Sequence, residues 1–210
     1  GSGAIKKVGN GTLFWESSGS SIPGVSIDIE GGTVRAPNEA SLGGATIHTA
    51  NGIFANVAGQ DVSFLTTPFT VESGGISVDG VAATMEIDSV ITELNWHDIS
   101  KFGNGLLRLG GTTSNPNLGL HARGGVLELA KNGNAFAVNS IGDIDTGATV
   151  RLAGLSTNQV NSLVRLSGGT LDMNGHDEGV QYITSTAMGG TVINNGAAAA
   201  TLTVGENNAD

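Results

Sequence analysis

The chain contains no cysteine, and that one absence removes disulfide staples, zinc–thiolate sites and thiol catalysis together. It is compatible with export. Charge is scarce as well: 13% of residues are Asp, Glu, Lys or Arg, about half the usual share of roughly 25%. A helical bundle needs such residues on its wet faces and tolerates glycine poorly, so that class is excluded. Aromatic residues make up 4% and prolines number 4. No apolar run approaches the ~20 residues of a membrane-crossing helix. Basic residues are the rarer sign, 9 against 19 acidic ones, for a formal charge of −10. A phosphate backbone would be repelled over most of such a surface, which argues against a nucleic-acid partner. Gly1-Ser2-Gly3 opens the chain without a charged n-region or apolar h-region, so a targeting signal is expected outside these residues.

Glycine, by contrast, is abundant at 34 of 210 residues, and 39% of the chain is hydrophobic. Disorder goes with low hydrophobicity and dense charge, so it does not fit either. The composition describes a β-rich protein with many tight turns.

Two internal rhythms organise the chain. The block Ile5-Lys6-Lys7-Val8-Gly9-Asn10-Gly11-Thr12-Leu13-Phe14-Trp15 matches Ile99-Ser100-Lys101-Phe102-Gly103-Asn104-Gly105-Leu106-Leu107-Arg108-Leu109, 94 positions later. Each block is followed by a second match, Glu30-Gly31-Gly32-Thr33-Val34-Arg35 and Arg123-Gly124-Gly125-Val126-Leu127-Glu128. Within that unit, apolar-charged-apolar triplets recur: Leu107-Arg108-Leu109, Leu127-Glu128-Leu129, Val150-Arg151-Leu152 and Leu171-Asp172-Met173 start 20, 23 and 21 residues apart. Val192 falls 21 further on. Alternation with period two puts the outer members of a triplet on one face of a strand and the central charge on the other. Ile27-Asp28-Ile29, Met85-Glu86-Ile87 and Val164-Arg165-Leu166 share the pattern, with Asn-Gly and Gly-Gly pairs as turn punctuation between them.

A beat near 21 residues with short strands is the length of one coil of a parallel β-helix, whose coils stack about 4.8 Å apart. The spacing predicts about ten coils and a rod on the order of 50 Å long, with inward Leu, Val and Ile forming one continuous column. An immunoglobulin-like sandwich also alternates, but its strands fall at about 8 to 12 residues and impose no such beat.

Lys7-Val8-Gly9-Asn10-Gly11-Thr12-Leu13 and Lys101-Phe102-Gly103-Asn104-Gly105-Leu106-Leu107 resemble the Lys-x-Gly-x-Gly-Thr-Leu signature of the autotransporter-associated β-strand repeat, or passenger-associated transport repeat. Gly168-Gly169-Thr170-Leu171-Asp172-Met173-Asn174-Gly175, Gly189-Gly190-Thr191-Val192-Ile193-Asn194-Asn195-Gly196 and Ala200-Thr201-Leu202-Thr203-Val204-Gly205 resemble the stretch that precedes such a signature. Residues 37–83 match poorly, so an insertion or a degenerate coil is expected there. The resemblance implies an all-β, right-handed parallel β-helix, a single domain over 1–210 with repeats at roughly 4–97 and 98–210. It implies an excised section of the exported part of a bacterial surface protein, whose separate C-terminal β-barrel is missing. Thr201–Asp210 resembles the lead-in to another repeat. The partners then expected are neighbouring repeats or chains end to end, and host or matrix glycans or proteins. Membrane contact is expected only through the missing barrel.

Site chemistry is thin. His48, His97, His121 and His176 lack the four-residue spacing of a helical zinc site, and no metal or cofactor is expected. Ser73 and Ser167 precede Gly-Gly pairs and read as turn residues, with no Gly-x-Ser-x-Gly block nearby. Asp143 and Asp145, with Asp172, Asp177 and Glu178, are the best candidate acids for a carbohydrate-active β-helix, the alternative to a non-enzymatic stalk. A phage or filament fibre segment is a third reading. Asp143-x-Asp145-x-Gly147 resembles part of a calcium loop but lacks its closing carboxylate. Trp96 and Tyr182 are the candidate partner-contact residues, whereas Trp15 aligns with Leu109 and is expected to face inward. Asn10, Asn104, Asn174 and Asn195 are expected to form a structural ladder, and Lys6, Lys7 and Lys101 to be solubilising edge charges. The function expected from these features is that of a non-enzymatic, extracellular structural or adhesive segment.

Overall fold

The computed structural model describes residues 3–15 and 22–205. Glu206–Asp210, the end of the expected lead-in to a further repeat, lie outside the described residues. The strands form a parallel β-solenoid of about nine turns, close to the ten expected. A nine-stranded sheet runs the length of the solenoid: Thr12–Phe14, Thr33–Ala36, Ile53–Asn56, Gly75–Ser77, Ile99–Phe102, Gly119–Ala122, Val138–Asp145, Val160–Ser167 and Tyr182–Ser185. A seven-stranded sheet comprises Val62–Phe64, Thr84–Ile87, Leu106–Leu109, Gly125–Leu129, Ala148–Leu152, Thr170–Asp172 and Thr191–Ile193. The third wall is a five-stranded sheet of Gly3–Lys7, Val25–Ile29, Thr46–Thr49, Phe69–Val71 and Ile91–Glu93. Glu178–Val180 and Leu202–Val204 pair separately.

In-register stacking turns the sequence rhythm into columns. Val62, Met85, Leu107, Leu127, Val150, Leu171 and Val192 are successive partners in the seven-stranded sheet, which is why the triplets keep their beat. All but Val192 in this column are buried. Residues 37–83 hold no insertion: they supply regular rungs to all three sheets and one 3-10 turn at Ala40–Leu42. What makes them look degenerate is their filling. Phe54, Phe64 and Phe69 come from the three different walls and meet edge-on, with ring centroids 5.2, 5.4 and 5.7 Å apart. Three rings there fill the volume that aliphatic residues fill elsewhere.

The two signature blocks do not occupy the same walls. Lys7 ends a strand of the five-stranded sheet and its block turns into the nine-stranded one. Lys101 lies in the nine-stranded sheet, and its block turns into the seven-stranded one. A 94-residue offset is therefore not a whole number of coils, and the motif is carried round by one side. Its corner is nevertheless rebuilt alike. Lys7 Nζ donates to the carbonyls of Val8, Gly9 and Gly31 at 2.9, 2.7 and 3.0 Å. Lys101 Nζ donates to those of Gly103, Gly105 and Gly124 at 2.9, 2.6 and 2.6 Å. Gly9 and Gly103 take φ of 72° and 77°, the left-handed turn conformation that glycine adopts without strain.

Lys101 is thus no edge charge. It sits fully buried in the inward column between Ile76 and Ala122, and its ammonium satisfies the corner carbonyls of Gly103 and Gly124 and shares that of Gly105 with the Val126 N–H. Lys7 is half-buried in the same role, and only Lys6, paired with Glu30, is a surface charge. Other corners use buried polar plugs too. Asn56 bridges to the carbonyls of Gln60 and Asp79, and Asn115 bonds Ile91 N–H and the Ala137 carbonyl.

Burial pushes the Lys101 amine down to about 8, against the opposing pull of Asp79. Lys131, fully buried and with no hydrogen-bond partner for Nζ among the described residues, is likewise pushed down to about 8, with Asp88 opposing. Between about pH 8 and 10.5 the folded chain has released these two protons while the unfolded chain still holds them. Stability therefore rises with pH across this window, by up to about 7 kcal/mol for the two amines together. Urea unfolding at the two ends of the window measures it, and a Lys101→Met/Lys131→Met double variant should lose the rise.

Candidate functional site

The outer face of the seven-stranded sheet carries the central charges of the triplets in one column: Glu86, Arg108, Glu128, Arg151, Asp172. Parallel stacking puts each directly over the next, where like charges repel, and the signs alternate. Arg108 Nε lies 3.0 Å from Glu86 and its Nη1 bonds Glu128. Arg151 holds the other Glu128 oxygen through Nε at 2.8 Å and Nη2 at 2.5 Å. Every carboxylate but the last is committed to arginine; Asp172 instead accepts Asn174 N–H, Asn195 N–H and the Asn195 amide. This column clamps register and leaves no free acid.

Asp143 and Asp145 lie on the nine-stranded sheet. Asp143 takes a two-pronged contact from Arg165, at 2.9 and 2.8 Å, and Asp145 pairs with Arg123 at 2.8 Å. The hydrogen bonds from Arg165 hold the Asp143 carboxyl below its ordinary value. A carboxylate so held does not give up a proton as a general acid near neutrality, so the pair reads as a structural ion-pair network.

Sequence reasoning missed the centre of this network. His121 stands between Asp98, 3.1 Å from Nε2, and Asp143, 3.2 Å from Nδ1. The register slips by one residue opposite Leu120 and His121, leaving Gly142 as an extra residue. The Asp98 carboxylate fills the space above Gly119 and Gly142, where a Cβ at either position would collide with it. Ser140 Oγ lies 3.4 Å from the same carboxylate. Because these residues come from three successive rungs, only the fold joins them.

The remaining candidates have structural partners. His48 lies 3.4 Å from both Asp28 and Glu72, while His97 and His176 stand at separate corners. Among the described residues no group of three or more His, Asp or Glu is arranged to hold a metal ion. Ser73 and Ser167 bond Asn51 and Thr186 on adjacent rungs. Asp177 caps Thr201 N–H, and Glu178 accepts the N–H groups of Gln159 and Val160 at 3.0 and 2.9 Å. The expected asparagine ladder does not run through its four members. Asn10 and Asn104 are exposed residues on different corners more than four turns apart, whereas Asn174 bonds the Leu152 carbonyl and Asn195 bonds Asp172.

Of the aromatics, Trp15 is half-buried against the core and donates its indole N–H to the Ser41 carbonyl at 2.8 Å. Trp96 is 71% exposed and Tyr182 54% exposed. Trp96 lies at a corner before the fifth strand of the nine-stranded sheet, and Tyr182 begins its ninth. Four rungs, or about 19 Å, separate those strands, so the two rings form separate features.

Over 206 residues, 92% of this chain, the sequence is 30% identical to the protein described as "Adhesin BmaC autotransporter" of Brucella suis biovar 1 (strain 1330). The chain spans 6% of that relative's length. No protein-family model matches the chain, and no solved structure matches it significantly. The match and the parallel solenoid agree with the resemblance carried by the Lys-x-Gly-x-Gly blocks: the chain is similar to an autotransporter passenger segment.

Proposed function

We propose that this β-solenoid, similar over 92% of its length to a stretch of an autotransporter adhesin, is a non-enzymatic, extracellular segment that spaces and displays adhesive surfaces on a bacterial cell. The observation that carries the reading is the match of 92% of this chain to a stretch of the adhesin. Two structural features support it. The candidate acids Asp143 and Asp145 are neutralised by their own arginines instead of facing each other across a cleft. The outer faces are locked rung to rung, as a stiff spacer requires. The end rungs, at Gly3–Lys7 and Thr12–Phe14 on one side and Tyr182–Ser185 and Thr191–Ile193 on the other, would pair with neighbouring coils or chains. No helix among the described residues is long and apolar enough to cross a membrane.

The test is adhesion of beads coated with the chain to cultured epithelial cells and to extracellular matrix, against beads coated with an unrelated β-solenoid. Adhesion well above that control is the expected result. Background adhesion, or cleavage of polysaccharide that disappears in Asp143→Asn, would overturn the reading.

A further inference from the structure

Three of the corners that join the five-stranded to the nine-stranded sheet are three residues long, at 30–32, 50–52 and 72–74. The corner between Ile91–Glu93 and Ile99–Phe102 takes five, Leu94-Asn95-Trp96-His97-Asp98. All five are exposed, with Trp96 at 71% and Leu94 at 48%. Trp96 also holds a left-handed φ of 57°, a conformation that costs a bulky residue free energy and persists only where its surroundings impose it.

Two carboxylates impose it. From inside, the buried Glu93 accepts the N–H groups of Asn95, Trp96 and His97 at 2.7, 2.6 and 3.1 Å. From outside, Asp98 reaches across two further rungs into the notch above Gly119 and Gly142, beside His121 and Ser140. The corner is clamped at both ends while its largest apolar side chain is turned into solvent. A rigid, outward aromatic flanked by polar side chains is arranged for contact, because little ordering entropy remains to be lost on binding.

We propose that this corner is a binding site for a neutral, equatorially substituted pyranose, stacked on the Trp96 indole and hydrogen-bonded by Asn95 and His97. The proposal rests on the adhesive reading and names its ligand class. Charge selects the neutral sugar: the chain carries −10 overall, and the Glu93 and Asp98 carboxylates flank the corner on either side, so an anionic glycan or phosphate is repelled. Shape selects the pyranose, whose axial C–H groups give it a flat apolar face to match an indole and a rim of hydroxyls for the neighbouring amide and imidazole. The corner projects and is not a cleft, so a single contact is weak, with a Kd on the order of 1 mM. Repeated presentation along a surface supplies avidity.

The experiment follows the two indole N–H resonances of the full chain by NMR, assigned with Trp15→Phe, during titration with chitotriose, cellotriose and maltotriose. The Trp96 signal should shift saturably with at least one sugar while Trp15 stays still, and Trp96→Ala should abolish the saturable response of the neighbouring backbone amides. Gly142→Ala, which evicts Asp98 without touching Trp96, should weaken binding about tenfold; Asp98→Asn provides a second variant that keeps the glycines. No saturable shift with any of the three sugars overturns the proposal, as does unchanged affinity in both positioning variants. Bead adhesion separates the two readings. If native and Trp96→Ala beads adhere equally and no sugar moves Trp96, the site falls and the adhesive role stands. If adhesion is lost in Trp96→Ala without any sugar response, the corner binds a protein and the pyranose is excluded. If native beads do not adhere, the adhesive role falls whatever the titration shows.

Discussion

Replacing Phe54 with alanine will lower the free energy of unfolding by about 3–5 kcal/mol. The ring is fully buried and contacts two others, Phe64 at 5.2 Å and Phe69 at 5.4 Å between centroids. Each ring hangs from a different wall, and each wall is a hydrogen-bonded sheet that cannot move inward without breaking rungs above and below. The cavity therefore cannot collapse, which places the cost at the upper end for a large-to-small core change. Equilibrium denaturation gives the magnitude. Hydrogen exchange locates it, since solenoid stability is largely a sum of nearest-neighbour terms: strands 46–49, 53–56, 62–64 and 69–71 should lose protection before strands 160–167 and 170–172. A loss below about 1 kcal/mol would mean that the three walls do repack around the missing ring.

That cluster also shows where the sequence is legible. The columns through Leu107, Leu127, Val150 and Leu171 could be read directly, because stacking is periodic and period is visible in one dimension. Residues 37–83 could not, because Phe54, Phe64 and Phe69 fill the same volume with different spacing and lack the glycine-flanked triplets. Lys101 is the sharper case. Its alternation with Ile99 places it inward, yet a lysine on a strand invites a surface reading. What decides the matter is three carbonyls, one of them at Gly124, 23 positions away on the next rung. Asp98 was missed for the same reason: its anchor is an empty space above Gly119 and Gly142, and an absent side chain leaves no local signal.

The corners and the ladders divide the work. The apolar column supplies the driving force but is indifferent to a slip of one coil, since Leu over Val is as good as Val over Leu. Polar plugs are not indifferent. Lys101, Asn56, Asn115 and Glu93 each match a particular set of backbone groups, and a slipped coil would leave those groups buried and unbonded. The low overall charge follows from the same geometry. In a stack where outward residues lie directly over one another, like charges on adjacent rungs repel, so a column of charges is favoured where the signs alternate, as from Glu86 to Asp172.

Glu128→Lys tests that statement with the largest expected penalty on the surface, about 3–5 kcal/mol. The substitution sets three cations on successive rungs about 4.8 Å apart, the new ammonium lying between Arg108 and Arg151, and removes the carboxylate that Arg151 bonds and one of the two that Arg108 bonds. Glu128 is nearly buried, so solvent relieves little of the repulsion, and added salt should recover only part of the loss. Glu128→Gln keeps the shape without the charge and should cost about half as much, with weak salt dependence. Glu30→Lys supplies the contrast. It makes the same reversal beside Lys6, whose side chain is 58% exposed, and should cost less than about 1 kcal/mol. Comparable losses in Glu128→Lys and Glu30→Lys, measured by urea unfolding at low and high salt, would show that the alternating column is a surface ornament. A fourfold or greater difference would show that it fixes the register of the stack.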